Sequence, residues 1–306
     1  MPLFNCVALT QACLASLQAT LPPGLAYEII LVDDGSTDGT REWLRTLREP
    51  FRVLLNERNL GYAAANNRGV ALARGEFLAL LNNDLVLAPR WLEPMLDAHR
   101  LLGTRAGIIG NVQLDAASGA VDHAGILINR QGKPEHARAL PSRWTQAFRR
   151  IRLVPAVTGA CLLMARPQWE RWGGFDEGFH NGGEDVDLCF RARAAGHVTA
   201  VALDSVIRHH VSASPGRKLR DEENSYRLAR RWRREFLASA GNATRGWCRD
   251  YLRAALAAPQ AEEHALALAA LLHASRLVSR PPAAAALALE TALAREFARW
   301  HAMFGC

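Results

Sequence analysis

The stretch Tyr27-Glu28-Ile29-Ile30-Leu31-Val32, followed directly by Asp33-Asp34-Gly35, decides the fold. A nearly continuous apolar run of this length predicts a strand that is buried on both faces, and the polar residues behind it predict a turn. Two more apolar runs follow, Phe51 to Leu55 and Phe77 to Leu81. The apolar spacing around these runs predicts helices at residues 7–19, 36–47 and 63–73. This alternation indicates an α/β fold with a mostly parallel sheet that helices cover on both faces.

Acidic and amide side chains follow two of the predicted strands at the point where each strand ends. Asp33-Asp34 comes after the first run, and Asn82-Asn83-Asp84 comes after Phe77 to Leu81. Ligands of open α/β sheets bind beyond the carboxyl ends of the strands, so both clusters are expected at one edge of the sheet. Asp84 could coordinate a hard divalent cation there through its oxygens, although Asn and Asp are also the usual residues of an ordinary turn.

A glycine-broken loop, Gly173 to Gly183, leads into three carboxylates at the start of a predicted helix. Glu184 and Asp185 are adjacent, so they point in different directions, and one of them could face a pocket. The free N–H groups at a helix start keep a carboxylate ionised, which suits a base that accepts a proton from a hydroxyl. The alternative is helix capping with solvated charge. Asp187, in the same first turn, is expected only to complement the helix dipole.

The composition is that of a globular protein of 306 residues, 49% of them hydrophobic and 22% charged. The net charge is +7 and most of the basic residues are arginine, which suits a phosphorylated ligand, an anionic membrane, nucleic acid or simply a solvated surface. No nucleic-acid-binding motif is present, so no nucleic-acid partner is predicted. The six scattered cysteines form no CxxC pair, residues 1–5 lack a signal-peptide pattern, and no apolar window is long enough to span a membrane. These features predict a cytoplasmic protein with reduced thiols.

Four motifs together carry a resemblance to a known family. Val32 to Thr40 resembles a nucleotide-binding turn after a second strand, and Asn59 to Gly69 resembles the helix start that follows it. Leu81-Asn82-Asn83-Asp84 resembles a DxD-type metal motif, and Gly173 to Leu188 resembles a loop followed by a Glu-Asp motif. The ordered set is specific, and the chain resembles the family 2 glycosyltransferases of the rhamnosyltransferase-like subgroup over about residues 3–215.

The resemblance implies a GT-A fold and a nucleoside diphosphate sugar as donor. It implies that Asp34 hydrogen-bonds a uracil or thymine base, with Asp33 beside it shaping the site. Asn82, Asn83 and Asp84 would form the cluster that meets the donor diphosphate.

A second set of roles concerns the metal and the chemistry. The resemblance implies that Asp84 binds a divalent cation, Mg²⁺ or Mn²⁺, with His209 of Ile207-Arg208-His209-His210 as the second ligand. A paired surface histidine is the alternative reading of that tetrapeptide. Asp185 would be the base that deprotonates the acceptor hydroxyl, with Glu184 as the fallback. Around this base, Trp172, Phe179, His180 and Asn181 are expected to shape the acceptor site.

The chain departs from the family pattern in two places. Asn82 stands where the fuller metal motif has Asp, which leaves one carboxylate. The family begins with an apolar strand before a turn that is here Pro2-Leu3-Phe4-Asn5, and no strand precedes it. The first strand is therefore expected to be missing, through truncation or a misassigned start, with reduced stability or a substitute strand as the consequence.

The resulting prediction has two domains, a GT-A glycosyltransferase domain at residues 1–216 and a helical extension at residues 217–306. The predicted activity is inverting transfer of a hexosyl or rhamnosyl group from a UDP- or dTDP-sugar to a polysaccharide or lipid-linked acceptor in cell-surface glycan biosynthesis. The arginine-rich segment 217–234 offers a peripheral contact with the inner face of the membrane, or else a solvated face. The alternative function is an inactive sugar-nucleotide binder or scaffold of the same fold.

Overall fold

The computed structural model describes residues 1–142, 149–210, 220–257 and 264–305. Internal contacts divide the chain into two compact units. The first unit consists of residues 1–126 and 136–224, and the second of residues 127–135 and 225–306. The domain boundary that the sequence predicts, after residue 216, lies outside the described residues.

The chain alternates strands and helices through the first unit and is helical towards its end. The strands are β1 (Pro2–Leu3), β2 (Ile29–Asp33), β3 (Phe51–Leu55), β4 (Phe77–Leu81), β5 (Leu85–Val86), β6 (Ala106–Asp115), β7 (Val121–His123), β8 (Ile126–Ile128), β9 (Pro134–His136), β10 (Ile151–Val154), β11 (Cys161–Ala165) and β12 (Val198–His209). The helices are α1 (Val7–Thr20), α2 (Thr40–Leu44), α3 (Tyr62–Val70), α4 (Glu93–Leu102), α5 (Arg166–Trp172), α6 (Glu184–Ala194), α7 (Asp221–Ser239), α8 (Gly241–Ala257), α9 (His264–Ala274) and α10 (Ala283–Phe304).

The first sheet contains the strand from which the sequence argument started. Its order is β1-β2-β3 and both pairings are parallel; the parallel pairing of β2 with β3 is the predicted one. Every residue of β2 except Ile30 is buried, because helices cover the strand as its apolar run requires. A Cβ atom on Gly69 of α3 would lie 3.0 Å from Cγ2 of Val32, so a glycine lets this helix approach the strand closely.

The expectation that the first strand is missing is wrong, because the first half of the expected turn, Pro2-Leu3, is itself a strand. Pro2 and Leu3 form a two-residue strand that pairs in parallel with Val32 and Asp33. The Met1 ammonium group extends this pairing by donating a hydrogen bond to the Ile30 carbonyl at 2.9 Å. Burial lowers the pKa of that ammonium group to about 5. The substitute strand therefore exists, and it positions the start of the chain beside the end of β2.

The second sheet is mixed, not mostly parallel. Its order is β10-β12-β6-β11-β4, with β5 beside β12 and β7 beside β6. The β6–β12 pairing is parallel, whereas β11 runs antiparallel to both β4 and β6. The apolar run Val198 to Leu203 predicts a strand of that length, with a turn before the histidines; in the structure it forms the first half of the last strand, β12. The strand continues instead across an irregularity between Ala202 and Val206, so His209 is a strand residue.

One hydrophobic core joins the two sheets. It includes Leu31 from β2, Leu81 from β4 and Ile109 from β6, together with the fully buried Trp91 and Met95. Because both sheets pack on the same core, the carboxyl ends of β2 and β4 are held in one region of the unit. This arrangement positions the candidate site.

The second unit is mainly helical and contains α8, α9 and α10. Cys248, Ala270 and Ala285 form a small buried cluster between them. Within the predicted helical extension, the stretches 262–276 and 283–303 are rich in alanine and leucine and predict two helices. The helix α9 falls inside the first stretch, and α10 matches the second within one residue, whereas α8 is not predicted from the sequence. No helix among the described residues is long and apolar enough to cross a membrane.

Candidate active site

The first unit contains a cleft of about 370 Å³. Residues that follow β1, β2 and β4 line one side, and the segment before β11 and the start of α6 line the other. Of the residues predicted from the sequence, the cleft is lined by Asp34, Asn82, Asn83, Asp84, Glu184 and Asp185. Asp34, the Asn82–Asp84 cluster and the carboxylates of α6 thus meet in one place. The expectation of a single sheet edge is wrong, because β2 and β4 belong to different sheets.

Asp34 is buried, and its carboxylate holds the turn that follows β3. One oxygen accepts hydrogen bonds from Asn56 Nδ2 at 2.7 Å and from the Leu60 amide at 2.9 Å, and the other accepts one from the Gly61 amide at 2.8 Å. A carboxylate has about four acceptor positions, so about one is left for a ligand. The turn after β2, which contains Gly35, packs directly on the turn after β3, which contains Arg58. A Cβ atom on Gly35 would lie 2.7 Å from the Arg58 backbone.

Asp33 does not line the cleft. Its side chain is fully buried and pairs with Arg41, whose Nε lies 2.7 Å from Asp33 Oδ2. The same guanidinium group donates to the Asn56 carbonyl, and the Ser36 amide donates to Asp33 at 3.3 Å. Asp33 therefore acts on the cleft only through the turn that it fixes.

Asp84 and His209 face each other at the bottom of the candidate metal site. Asp84 Oδ1 lies 3.2 Å from His209 Nε2, and both side chains are nearly buried. Among the described residues, neither atom has a hydrogen-bond partner, and the Oδ1 atom of Asn82 has none either. Asn83 instead donates to Thr10 Oγ1 at 2.9 Å. Asp84 Oδ1 and His209 Nε2 lie close together without forming a hydrogen bond, so they make a donor pair that a divalent cation would satisfy.

The pair does not amount to a complete cage. Within the described part of the chain, no group of three or more His, Cys, Asp or Glu residues could hold a metal ion. Asn82 stands where a second carboxylate would add a ligand. A cation at this site would therefore take further oxygens from water or from a bound phosphate, as Mg²⁺ commonly does.

Asp185 and Glu184 diverge, as expected for adjacent helix residues. The helix α6 begins at Glu184, after Gly183 in a left-handed conformation. Asp185 accepts the Gly159 amide at 2.8 Å through Oδ2 and the Val186 amide at 2.8 Å through Oδ1. Glu184 is buried and accepts the Gly182 amide at 2.8 Å, back towards the loop. Asp185 is thus held by the segment before β11 on its own side of the cleft, and Glu184 supports the backbone before the helix.

Tyr62 was not singled out from the sequence, yet it connects the two walls. Its hydroxyl donates to the Gly159 carbonyl at 2.8 Å, and its amide donates to Asn181 Oδ1 at 3.1 Å. A Cβ atom on Gly159 would lie 2.9 Å from the Tyr62 hydroxyl oxygen and 3.5 Å from Cβ of Asp185. Only glycine fits between the tyrosine and the carboxylate, so the three residues form one packed unit.

Comparisons with known proteins identify the family. Residues 1–144 match the model of glycosyl transferase family 2. The N-acetylglucosaminyl-diphospho-decaprenol L-rhamnosyltransferase of Mycobacterium tuberculosis is 31% identical over 210 residues, which cover 62% of this chain and 68% of the relative. The chain belongs to glycosyl transferase family 2.

Other relatives of this family 2 chain are longer or more distant. Protein y4gI of Sinorhizobium fredii is 34% identical over 250 residues, which cover 76% of this chain but 27% of the relative. This chain therefore spans about a quarter of that relative's length. The solved structure of the mannosyltransferase PcManGT from Pyrobaculum calidifontis, in complex with GDP-Man and Mn²⁺, has a TM-score of 0.53 at 19% identity and covers 97% of this chain and 85% of its own. That likeness confirms the GT-A fold.

In this family 2 chain, Asp187 does more than complement the helix dipole. It is fully buried, and its carboxylate lies 2.8 Å from Arg191 Nε one turn later. Arg191 also donates to the carbonyls of Gly174, at 2.6 Å, and Trp172. The expectation from the sequence left out this ion pair, which the i, i+4 spacing of the two residues allows. By holding Arg191 in place, Asp187 helps to fix the start of the loop against α6.

The loop from Gly173 to Gly183 is tied down at both ends. Asn67 exchanges two hydrogen bonds with the Phe175 backbone, each 2.9 Å long, and Asn224 does the same with the His180 backbone at 3.3 and 3.0 Å. Of the four residues expected to shape an acceptor site, Trp172 and Phe179 are buried in the core, and only Asn181 lines the cleft. The expectation is wrong for the two aromatic residues, because large apolar side chains next to a loop pack inward.

Proposed function

We propose that the chain transfers a sugar, with inversion, from a UDP- or dTDP-sugar to a hydroxyl group of a polysaccharide or lipid-linked acceptor in cell-surface glycan biosynthesis. The observation that carries the proposal is the cleft itself, which is lined by Asp84 on one wall and Asp185 on the other. Family membership and the name of the mycobacterial relative, which acts on a lipid-linked sugar, support the same reaction class. A nucleotide-sugar donor makes the cytoplasm the proposed compartment.

The donor would lie along the turns that Asp34 fixes. Asp34 keeps about one acceptor position for an N–H group of the base, and Asn82 and Asn83 would line the diphosphate. Asp84 and His209 would hold a divalent cation, Mg²⁺ or Mn²⁺, which neutralises charge on the leaving diphosphate when bound. The orphaned oxygen of Asp84 and ring nitrogen of His209 support this assignment.

Asp185 is proposed as the general base. In an inverting transfer the acceptor oxygen attacks the anomeric carbon from the face opposite the diphosphate, whose bond to that carbon breaks. The hydroxyl proton passes to the carboxylate. Each Asp185 oxygen accepts one backbone N–H, which fixes the orientation of the carboxylate and leaves further lone pairs for the acceptor hydroxyl. Glu184 is the weaker candidate, because its carboxylate is buried against the loop backbone.

A thermal-shift and turnover panel tests the proposal. The purified chain is incubated with UDP- and dTDP-sugars, with and without Mn²⁺, and both the melting temperature and release of nucleoside diphosphate are measured. We expect at least one donor to stabilise the protein in a Mn²⁺-dependent manner and to be turned over, through hydrolysis if no acceptor is present. Stabilisation without any turnover would favour the alternative, an inactive sugar-nucleotide binder. No stabilisation by any nucleotide sugar would overturn both.

A further inference from the structure

The second unit presents apolar side chains to solvent between cationic ones. The segment from Ser275 to Arg280, here named the 275–280 turn, directly follows α9, and all six of its residues are exposed. Leu277 leaves 76% of its surface accessible and Val278 leaves 41%. Arg276 and Arg280 flank these two residues. The turn therefore combines an apolar tip with two positive charges.

A buried histidine holds this turn in place. His273 is fully buried, with Nδ1 3.1 Å from the Val278 carbonyl and Nε2 2.9 Å from Thr244 Oγ1 on α8. The amides of Leu277 and Val278 both donate to the Leu272 carbonyl, at 3.0 and 3.2 Å. These bonds anchor the turn to two helices. These hydrogen bonds hold Leu277 and Val278 in the solvent. The two side chains cannot pack onto the core of the unit unless the hydrogen bonds break.

Further positive charge lies beside the turn. The contact between Thr244 and His273 brings the first turns of α8, with Arg245 and Arg249, next to the end of α9. Burial lowers the pKa of Arg245, and the charges of Arg276 and Arg249 lower it further, so these guanidinium groups are close enough to repel one another. The carboxylates of this unit that form ion pairs among the described residues pair with other cations, namely Lys133, Arg130, Arg253 and Arg299.

An isolated exposed leucine would need no explanation. Here, however, a fixed apolar tip lies beside guanidinium groups that repel one another, and a bound anion would relieve that repulsion. Two more exposed leucines, Leu268 and Leu271, lie on α9 on the face away from the buried Ala270 and His273. A free phosphate would neutralise the charge but leave the apolar tip in water. An anionic lipid surface supplies both the negative charge and an apolar layer just beneath it.

We propose that the 275–280 turn docks the protein on an anionic lipid surface, with Leu277 and Val278 entering the boundary between headgroups and acyl chains. Arg276, Arg280 and Arg249 would bind the lipid phosphates. This surface is distinct from the arginine-rich segment 217–234 that the sequence suggested. The inference goes beyond sugar transfer and does not depend on it. If the acceptor is lipid-linked, docking would bring the protein to the surface that holds the acceptor.

Vesicle flotation tests the inference on the full chain. The vesicles are phosphatidylcholine alone, or phosphatidylcholine with roughly one third phosphatidylglycerol, at low salt. The test variant carries Leu277→Ser and Arg280→Gln. The matched control carries Leu287→Ser and Arg295→Gln, the same changes at two exposed positions of α10. Melting temperatures of all three proteins check that each is folded.

We expect the unmodified chain to float with anionic vesicles and not with neutral ones. The test variant should bind at least about tenfold more weakly, because it loses one charge contact and one inserted side chain, while the control keeps its binding. Absence of flotation with anionic vesicles, or equal losses in the two variants, would overturn the proposal. Complete competition by millimolar inorganic phosphate would also overturn it, because it would identify a phosphate site and not a lipid surface.

Discussion

Two carboxylates of the same cleft differ in how the protein satisfies them. Asp185 accepts a backbone amide on each oxygen, both at 2.8 Å. Asp84 leaves one oxygen facing His209 at 3.2 Å, and among the described residues that oxygen has no hydrogen-bond partner. One wall of the cleft is therefore complete without a ligand, and the other wall is not.

The difference indicates which part of the chemistry each wall supplies. A proposed base must be oriented before the acceptor arrives, so its geometry is best fixed by backbone amides. A cation site pays an energetic cost while it lacks its ligand, because an unpaired buried polar atom costs about 1–3 kcal/mol. That cost is recovered when the ligand binds. The two walls should thus respond in opposite ways to the same substitution, Asp to Asn.

Asp185→Asn should have the largest effect. The amide side chain cannot take the proton of the acceptor hydroxyl, so the rate of sugar transfer should fall roughly 10²–10⁴-fold. Its NH₂ group also cannot accept a backbone N–H, which should lower the free energy of unfolding by about 1–3 kcal/mol. Initial rates at saturating donor and a thermal melt measure the two effects. Asp97→Asn, on the exposed face of α4, serves as the control and should change neither.

A variant at Asp185 that transfers sugar at the rate of the Asp97 control would remove Asp185 as the base. If Glu184→Gln then abolished transfer, the role would pass to Glu184. The comparison between the two walls would survive in that case, because it rests on hydrogen bonds and not on the assignment of the base.

Asp84→Asn should weaken cation binding instead. The substitution removes a buried negative charge that has no hydrogen-bond partner on Oδ1, so the metal-free protein should melt at the same or a higher temperature. Affinity for Mn²⁺ should fall roughly 10–100-fold, by analogy with other losses around metal sites. Melting curves across a Mn²⁺ titration measure both quantities, and His209→Asn should reproduce the loss of affinity. A metal-free Asp84→Asn protein as destabilised as Asp185→Asn would contradict the contrast between the walls.

The sequence predicted the framework of this site for a physical reason. Continuous apolar runs identify buried strands, and Asp34 and Asp84 follow the ends of two of them. Their meeting does not come from one sheet edge, because β2 and β4 belong to different sheets that share one core. The start of α6 at Glu184 was also readable, because glycines precede a cluster of acids there. By contrast, the polar pair Asp204-Ser205 is typical of a turn, so the second half of β12 was not predicted as a strand. Ser205 is buried and its hydroxyl donates to the Trp91 carbonyl, which lets the strand continue.

Contacts between distant segments could not be predicted. Tyr62 and Gly159 are 97 residues apart, and no local pattern marks either of them as a partner of the other. The antiparallel direction of β11 could not be predicted either, because an apolar run does not indicate whether its strand pairs in parallel or antiparallel. What the sequence supplies is the position of charged groups along the edge of a sheet, and what it lacks is the network that orients them.

Tyr62→Phe should have the smallest effect, and it tests that network directly. Removing the hydroxyl breaks its bond to the Gly159 carbonyl while the ring stays in place, so the Gly159 amide should hold Asp185 less firmly. We expect kcat to fall roughly tenfold or less with an unchanged KM for the donor, because the change affects orientation and not donor contacts. Tyr27→Phe, at a half-exposed tyrosine outside the cleft, should leave kcat and KM unchanged. A loss confined to KM, or an unchanged kcat, would mean that Tyr62 supports the donor wall alone and that Asp185 is oriented by α6 without help from across the cleft.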